Sequence, residues 1–445
     1  MWRWRFSLAL LAALAAESLL ADVSRVFVRE VNMDPLRIGP YELEDPLRFA
    51  DGRRVKTRED WCARRSEILE LFAREMYGAE PPRPEMLQVK VVDEKVTCGG
   101  FAVRRQYQMR FRPDGSGPCV NWIVWIPQPM RGPVPLVIFL NYNGNHELVP
   151  DRDIPLMRAW NRMPHAGEEI RGRLQDPNGD SVFPIGVVLA RGYAVMSACY
   201  CEISPDPDAN DPDPSHDQEA FAHTGVFALW GPRDPSRTDG ISSLGAWAWA
   251  YSRGVDLAER IPEVDAARIV VTGCSRLGKA ALLAAARDER IAVCVPNQSG
   301  SGGCSLAKRD FGENVSTLCR TFPHWFAKSY GKYAEDPARL LRFDQHLLMA
   351  TLAPRALLVE GFDNPWFDTE GEFLAVRAAR GVWSFLGRET MPDVGWPADE
   401  SLSAVGSNLG YVRRSGRHGY SAKDWLWTLD FADRHWTAQK EGIEK

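Results

Sequence analysis

The sequence is short of the features that would assign it to several large protein classes. Lys and Arg number 54 against 59 Asp and Glu, a formal net charge of −5, so no positive excess offers itself to nucleic acid. The nine cysteines (62, 98, 119, 199, 201, 274, 294, 304, 319) include no CxxC pair and no His/Cys cluster with zinc-ligand spacing. Their odd number leaves at least one thiol unpaired, and their spacing specifies no disulfide. There is no low-complexity run, no internal repeat and no Pro/Ser-rich linker. Beyond residue 21 no apolar run is long enough to span a membrane.

What is present is ordinary for a globular enzyme-sized chain. Its 445 residues, 45% hydrophobic and 25% charged, can bury a large core. Sixteen tryptophans agree with stacking on sugar rings, although core packing accounts for most of them. Arg3 and Arg5 precede an apolar stretch from Phe6 to Ala16, with small residues near Ala13–Ala15 and Ala21. This pattern predicts a signal peptide over 1–21, hence a secreted or periplasmic protein, followed by one catalytic domain over 22–445.

Hydrophobic periodicity places the elements. Trp61–Met76 has helical spacing, and three alternating runs (Leu87–Val92, Phe101–Phe111, Cys119–Ile126) read as antiparallel edge strands. Val134–Asn141, Gly186–Ala198, Ile269–Thr272, Ile291–Pro296 and Ala356–Glu360 read as buried strands. Helices are expected over 240–260, Gly371–Leu386 and Ala422–Trp436. Strands alternating with helices predict a doubly wound, mostly parallel α/β sheet. Residues 144–184 form a long polar excursion expected to sit over a site. Ser204–Pro214 (SPDPDANDPDP) lacks EF-hand spacing and is expected to be a solvated acidic loop.

Chemistry concentrates in residues 269–283, IVVTGCSRLGKAALL. A β-branched run leads into a glycine turn carrying Ser275, and a small-residue helix follows. Gly273 and Gly278 relieve crowding where the chain reverses and the helix packs back on the strand. Ser275 then caps a helix whose N-terminal dipole favours developing negative charge. This resembles the nucleophile elbow of α/β-hydrolases, where serine, acid and histidine follow in that order, although G-C-S-R-L-G carries one residue more than G-x-S-x-G. His418, in a loop before the last helix, is the candidate base, and His435 falls inside that helix. For the acid, Asp363 fits best by its distance past strand ALLVE, with Asp368 and Glu360 as rivals.

Gly273–Lys279 (GCSRLGK) resembles the signature of the glucuronoyl esterases, a carbohydrate esterase family, and most closely its bacterial branch. Other segments fall in the family's order: LNYNGNH at 140–146, SGSGG at 299–303, GEN at 312–314, FPHWF at 322–326, WFDTEGEF at 366–373 and GRHGYSAKDW at 416–425. The resemblance implies an α/β-hydrolase fold, a three-layer αβα sandwich with surface-loop insertions. It implies hydrolysis of the ester between 4-O-methyl-glucuronic acid of glucuronoxylan and a lignin alcohol, with no metal or cofactor. By the same resemblance Ser275 is the nucleophile, His418 the base and Arg276 the oxyanion donor; Lys279, Glu313 and Trp366 hold the sugar. A monomer without nucleic-acid partners or a stable membrane span after signal removal is expected.

Two positions depart from the family. The place where many members carry the acid as Glu is Gln298, and the place of the bacterial Asp is Asn364. A glycine, Gly419, follows His418 where fungal members have a bridging cysteine, so Cys274 is expected to be a packed free thiol. Alternatives are an esterase for another acylated carbohydrate or small ester, and a catalytically weak carbohydrate-binding homologue.

Overall fold

The computed structural model describes residues 31–443, apart from 161–166, 208–217, 233 and 235. The expected signal peptide therefore lies outside the described residues. Among the described residues, nine strands form one sheet in the order β1-β2-β3-β5-β4-β6-β7-β8-β9. They are β1 Gln88–Thr97, β2 Ala102–Arg110, β3 Cys119–Pro127, β4 Val134–Asn141, β5 Ala194–Cys199, β6 Val264–Cys274, β7 Val293–Asn297, β8 Ala356–Phe362 and β9 Leu409–Arg414. The first three pair antiparallel and β3 meets β5 antiparallel. From β5 to β9 every pairing is parallel.

Six helices matter for the site: α1 Arg58–Phe72, α2 Ile185–Ala190, α3 Ser243–Ala258, α4 Arg276–Arg287, α5 Thr369–Ala379 and α6 Ala422–Ile443. Alternation along the strands supplies two cores, one on each face of the sheet. Leu136, Ile138, Ile269 and Val271 pack with α1, α3, α4 and α5. Val137, Phe139 and Val270 face the other way and pack with α2 and α6. Helices on both faces of a mostly parallel sheet make the αβα sandwich of an α/β-hydrolase.

Two segments differ from expectation. The run Gly186–Ala198 is not one strand: Ile185–Ala190 is a helix, and only Ala194–Cys199 joins the sheet. Ile185, Val188 and Leu189 are the buried positions, an i, i+3, i+4 set, and Gly192 turns the chain at φ 80°. A continuous apolar run carries no period to separate these two states. Residues 409–414, to which the sequence pattern assigns no element, form β9 beside β8.

Candidate active site

The parallel strands all point the same way, so the residues that follow β4, β5, β6, β7, β8 and β9 gather along one edge of the sheet. Ser275 follows β6 directly and caps α4 with φ 58° and ψ −127°. A non-glycine residue in that region costs about 1–3 kcal/mol and persists only where its surroundings over-determine it. They do so here. A Cβ on Gly273 would stand 2.1 Å from the Leu277 carbonyl oxygen, and one on Gly278 would stand 2.8 Å from that of Gly273. The turn closes because both positions lack side chains. Ser275 N–H donates to Asn297 O at 2.9 Å, and Tyr142 O–H donates to Cys274 O at 2.7 Å.

The residue after Asn297 is Gln298, and it holds His418. Gln298 Oε1 lies 2.8 Å from His418 Nδ1 and accepts from Gly419 N–H at 2.9 Å. Its Nε2 donates to Gly419 O at 3.0 Å. Both ends of the amide are thus read by one residue, Gly419, which makes Oε1 the face turned to the imidazole. Nδ1 must then be the donor, and Nε2 carries the lone pair a general base needs. Phe362 and Phe367 lie against the imidazole ring at 5.2 and 4.6 Å between centroids. Burial, followed by the cations Lys279, Arg276 and Arg414, brings the His418 pKa down to about 4.

Arg414 organises the histidine loop from below. Its guanidinium grips Asp424 and donates to the carbonyls of Ser415, Arg417 and Gly419.

The three carboxylates considered for the acid lie elsewhere. Asp363 is a correction: its side chain is 66% exposed and stands 3.9 Å from Arg413, while His418 Nδ1 is taken by Gln298. The Asp363 N–H donates to Arg414 O at 2.8 Å, which ends the β8–β9 ladder. Asp368 is buried against Arg309 and Ser305 and caps α5 through Gly371 N–H. Glu360, fully buried, accepts from Asn297 Nδ2 at 2.6 Å and from Thr428 Oγ1 at 3.1 Å. Asn364 accepts from Trp366 N–H at 2.9 Å and so shapes the loop rather than reaching the histidine.

Arg276 and Lys279 occupy the first turn of α4. Lys279 is 1% exposed, and its ammonium donates to Ser299 O at 2.6 Å and to Glu313 at 3.3 Å. Burial lowers its pKa, and Glu313 offsets part of that shift. Glu313 and Trp366 come from separate loops. Glu313 N–H donates to Trp366 O at 2.7 Å, and Gly312 lets the two backbones approach, since a Cβ there would meet that same oxygen at 2.4 Å. Ser275, Arg276, Lys279, Glu313, Trp366 and His418 therefore share one edge of the sheet; Asp363 is the expected site residue that the fold turns away.

Sequence reasoning missed Asp206. It stands in the segment expected to be a solvated acidic loop, yet it is fully buried and paired with Arg276. Its partners Tyr200, His324 and Trp325 are up to 119 residues distant, so no local pattern announces the contact. All nine thiols are unbridged, Cys274 among the buried ones.

A sharp strand–serine–helix turn on a central parallel strand, with a histidine loop after the last strand, defines an α/β-hydrolase. Comparison with known proteins narrows this further. The family model for fungal glucuronyl esterase matches residues 216–387. A carbohydrate esterase from an unknown prokaryotic organism is 32% identical over 93% of this chain and 94% of its own length. The 4-O-methyl-glucuronoyl methylesterase of Podospora anserina is 27% identical over 78% of this chain and 60% of its own. Among solved structures, a promiscuous esterase of carbohydrate esterase family 15 from the marine bacterial metagenome superposes with a TM-score of 0.81 at 32% identity, covering 91% of this chain and 100% of that one. The glucuronoyl esterase from Solibacter usitatus gives 0.81 at 31% identity with the same coverage. The chain belongs to the glucuronoyl esterase family, carbohydrate esterase family 15, whose members are carboxylic ester hydrolases.

Proposed function

We propose that the protein hydrolyses the ester between 4-O-methyl-glucuronic acid of glucuronoxylan and a lignin alcohol, acting as a monomer outside the cytoplasm after removal of 1–21. The observation that carries the reading is the elbow itself, where a strained serine is followed by Arg276 and a buried Lys279 paired with Glu313. Lys279, Glu313 and Trp366 hold the uronate hydroxyls and ring. Ser275 Oγ attacks the ester carbonyl while His418 Nε2 takes its proton, and Arg276 stabilises the oxyanion. Collapse expels the alcohol, which receives that proton, and leaves the uronoyl–serine ester. Water, losing a proton to His418, then frees the acid and restores Ser275.

Turnover of benzyl and methyl glucuronate, compared with acetyl esters, tests this in wild type and Ser275→Ala. Uronate ester hydrolysis by wild type, abolished in Ser275→Ala, is expected. A preference for acetyl esters would support the broader esterase reading, in keeping with a relative described as promiscuous. A second reading, a carbohydrate-binding homologue with weak catalysis, is favoured by Gln298, whose amide carries no charge to balance an imidazolium. Binding of glucuronoxylan without turnover of any ester would support it.

A further inference from the structure

Asp206 has no contact with solvent, and its carboxylate gathers four donors from three segments of the fold. Tyr200 O–H donates to Oδ2 at 3.0 Å, Trp325 Nε1–H to Oδ1 at 2.7 Å, and His324 Nε2 lies 2.8 Å from Oδ1. The fourth donor is Arg276 Nη1. Burial alone would push this carboxyl up, but Arg276, then His324 and Trp325, outweigh it and hold it well below the usual carboxylate range. These contacts favour the charged carboxylate beside Arg276.

The pair restricts the guanidinium as well as neutralising it. Arg276 lies over the rings of Trp325 and Phe322, 4.6 and 5.3 Å from their centroids, and those two rings are stacked 3.7 Å apart. Trp325 thus bonds Asp206 through its edge and covers Arg276 with its face. A planar guanidinium fixed on one edge by a carboxylate and on one face by an indole has little freedom left. Its Nε is buried with no partner, a donor left over. The Arg276 side chain as a whole keeps 15% of its surface exposed, where a substrate can meet it.

We propose that Asp206 is the positioning residue for Arg276, fixing the guanidinium so that a donor is held ready for the ester oxygen that gains charge when Ser275 attacks. The inference rests on the serine-esterase reading above. Because the role is exercised on a transition state, loss of Asp206 should lower kcat and leave KM nearly unchanged.

The test is a double-mutant cycle of Asp206→Asn with Arg276→Ala, followed by benzyl glucuronate turnover and by the rate at which a fluorophosphonate labels Ser275. The fluorophosphonate arm needs no uronate, so failure of the substrate reading leaves it intact. Asp206→Asn is expected to lower kcat and the labelling rate about 10- to 100-fold, below the full effect of losing an oxyanion donor, with KM within about twofold. In the Arg276→Ala background it should add less than about twofold, because the residue it positions is gone. Wild-type rates in Asp206→Asn, or a full additional loss in the double variant, would overturn the proposal. If Asp206→Asn does not fold, Tyr200→Phe removes one tie to the carboxylate and keeps its charge. A kcat lowered at unchanged KM then supports the role, and an unchanged kcat overturns it.

Discussion

Gln298 offers His418 an acceptor with the shape of a carboxylate and none of its charge. In a Ser-His-Asp site the Asp→Asn change costs about 10⁴-fold, largely through the wrong tautomer. Here Gly419 reads both ends of the amide, so the tautomer is kept and only the charge is missing. Gln298→Glu is expected to raise kcat about tenfold or more. The acid limb of the kcat/KM profile checks the cause. His418 must be neutral to act as base, so wild type should lose activity only as pH falls through about 4. A carboxylate at 298 favours the imidazolium and should move that limb upward. Asp363→Asn, by contrast, should leave kcat within about twofold of wild type, since it removes an exposed charge 3.9 Å from Arg413. A large loss there would restore Asp363 as the acid.

The elbow is where β6 and α4 depend on each other. Gly273 is the tightest point, with no room for a methyl group against the Leu277 carbonyl. Gly273→Ala is expected to destabilise the fold by about 3 kcal/mol or more, because relief requires moving backbone rather than a flexible side chain. Chemical denaturation measures this, and a loss below about 1 kcal/mol would contradict the packing argument. The elements themselves were largely legible in the sequence. β-branched runs bounded by turn residues located β4 and β6–β8, and the glycine spacing located the elbow. Gly186–Ala198 reads as one strand from sequence because an unbroken apolar run has no period. β9 is not legible in the sequence because Gly410, Arg413 and Arg414 break its apolar character, although Tyr411 and Val412 are buried.

At the scale of the molecule, buried ionisable groups tie stability to pH. Burial pushes the Glu372 carboxyl up to about 8; Gly300 N–H donates to its Oε1, while its Oε2 has no partner. The folded chain keeps this group protonated up to that pH, whereas the unfolded chain ionises near 4.5. Its contribution therefore declines as pH rises through the window, and Glu372→Gln should gain in Tm on wild type as pH rises from about 4.5 to about 8. His346 and His435, buried and held down to about 4, act in the opposite sense. Only the unfolded chain binds their protons between about 6.5 and 4, so stability falls as pH drops through that range, and His346→Gln should flatten the decline.

The sequence by itself determined the sheet's parallel middle, the serine elbow, the histidine loop and the family, because these are written in local periodicity and ordered short motifs. Tertiary structure decided which group faces His418 and what holds Arg276. Both depend on side chains from loops far apart in the chain, brought to one edge of the sheet by parallel strands. Gln298 reaches the imidazole because β7 ends beside the elbow, and Asp206 is charged and buried because three distant donors, with Tyr200 nearby, converge on it. A single carboxylate in an acidic loop carries no local mark of such a destination. Only the fold supplies the low-dielectric surroundings and the donors that make burial of its charge tolerable.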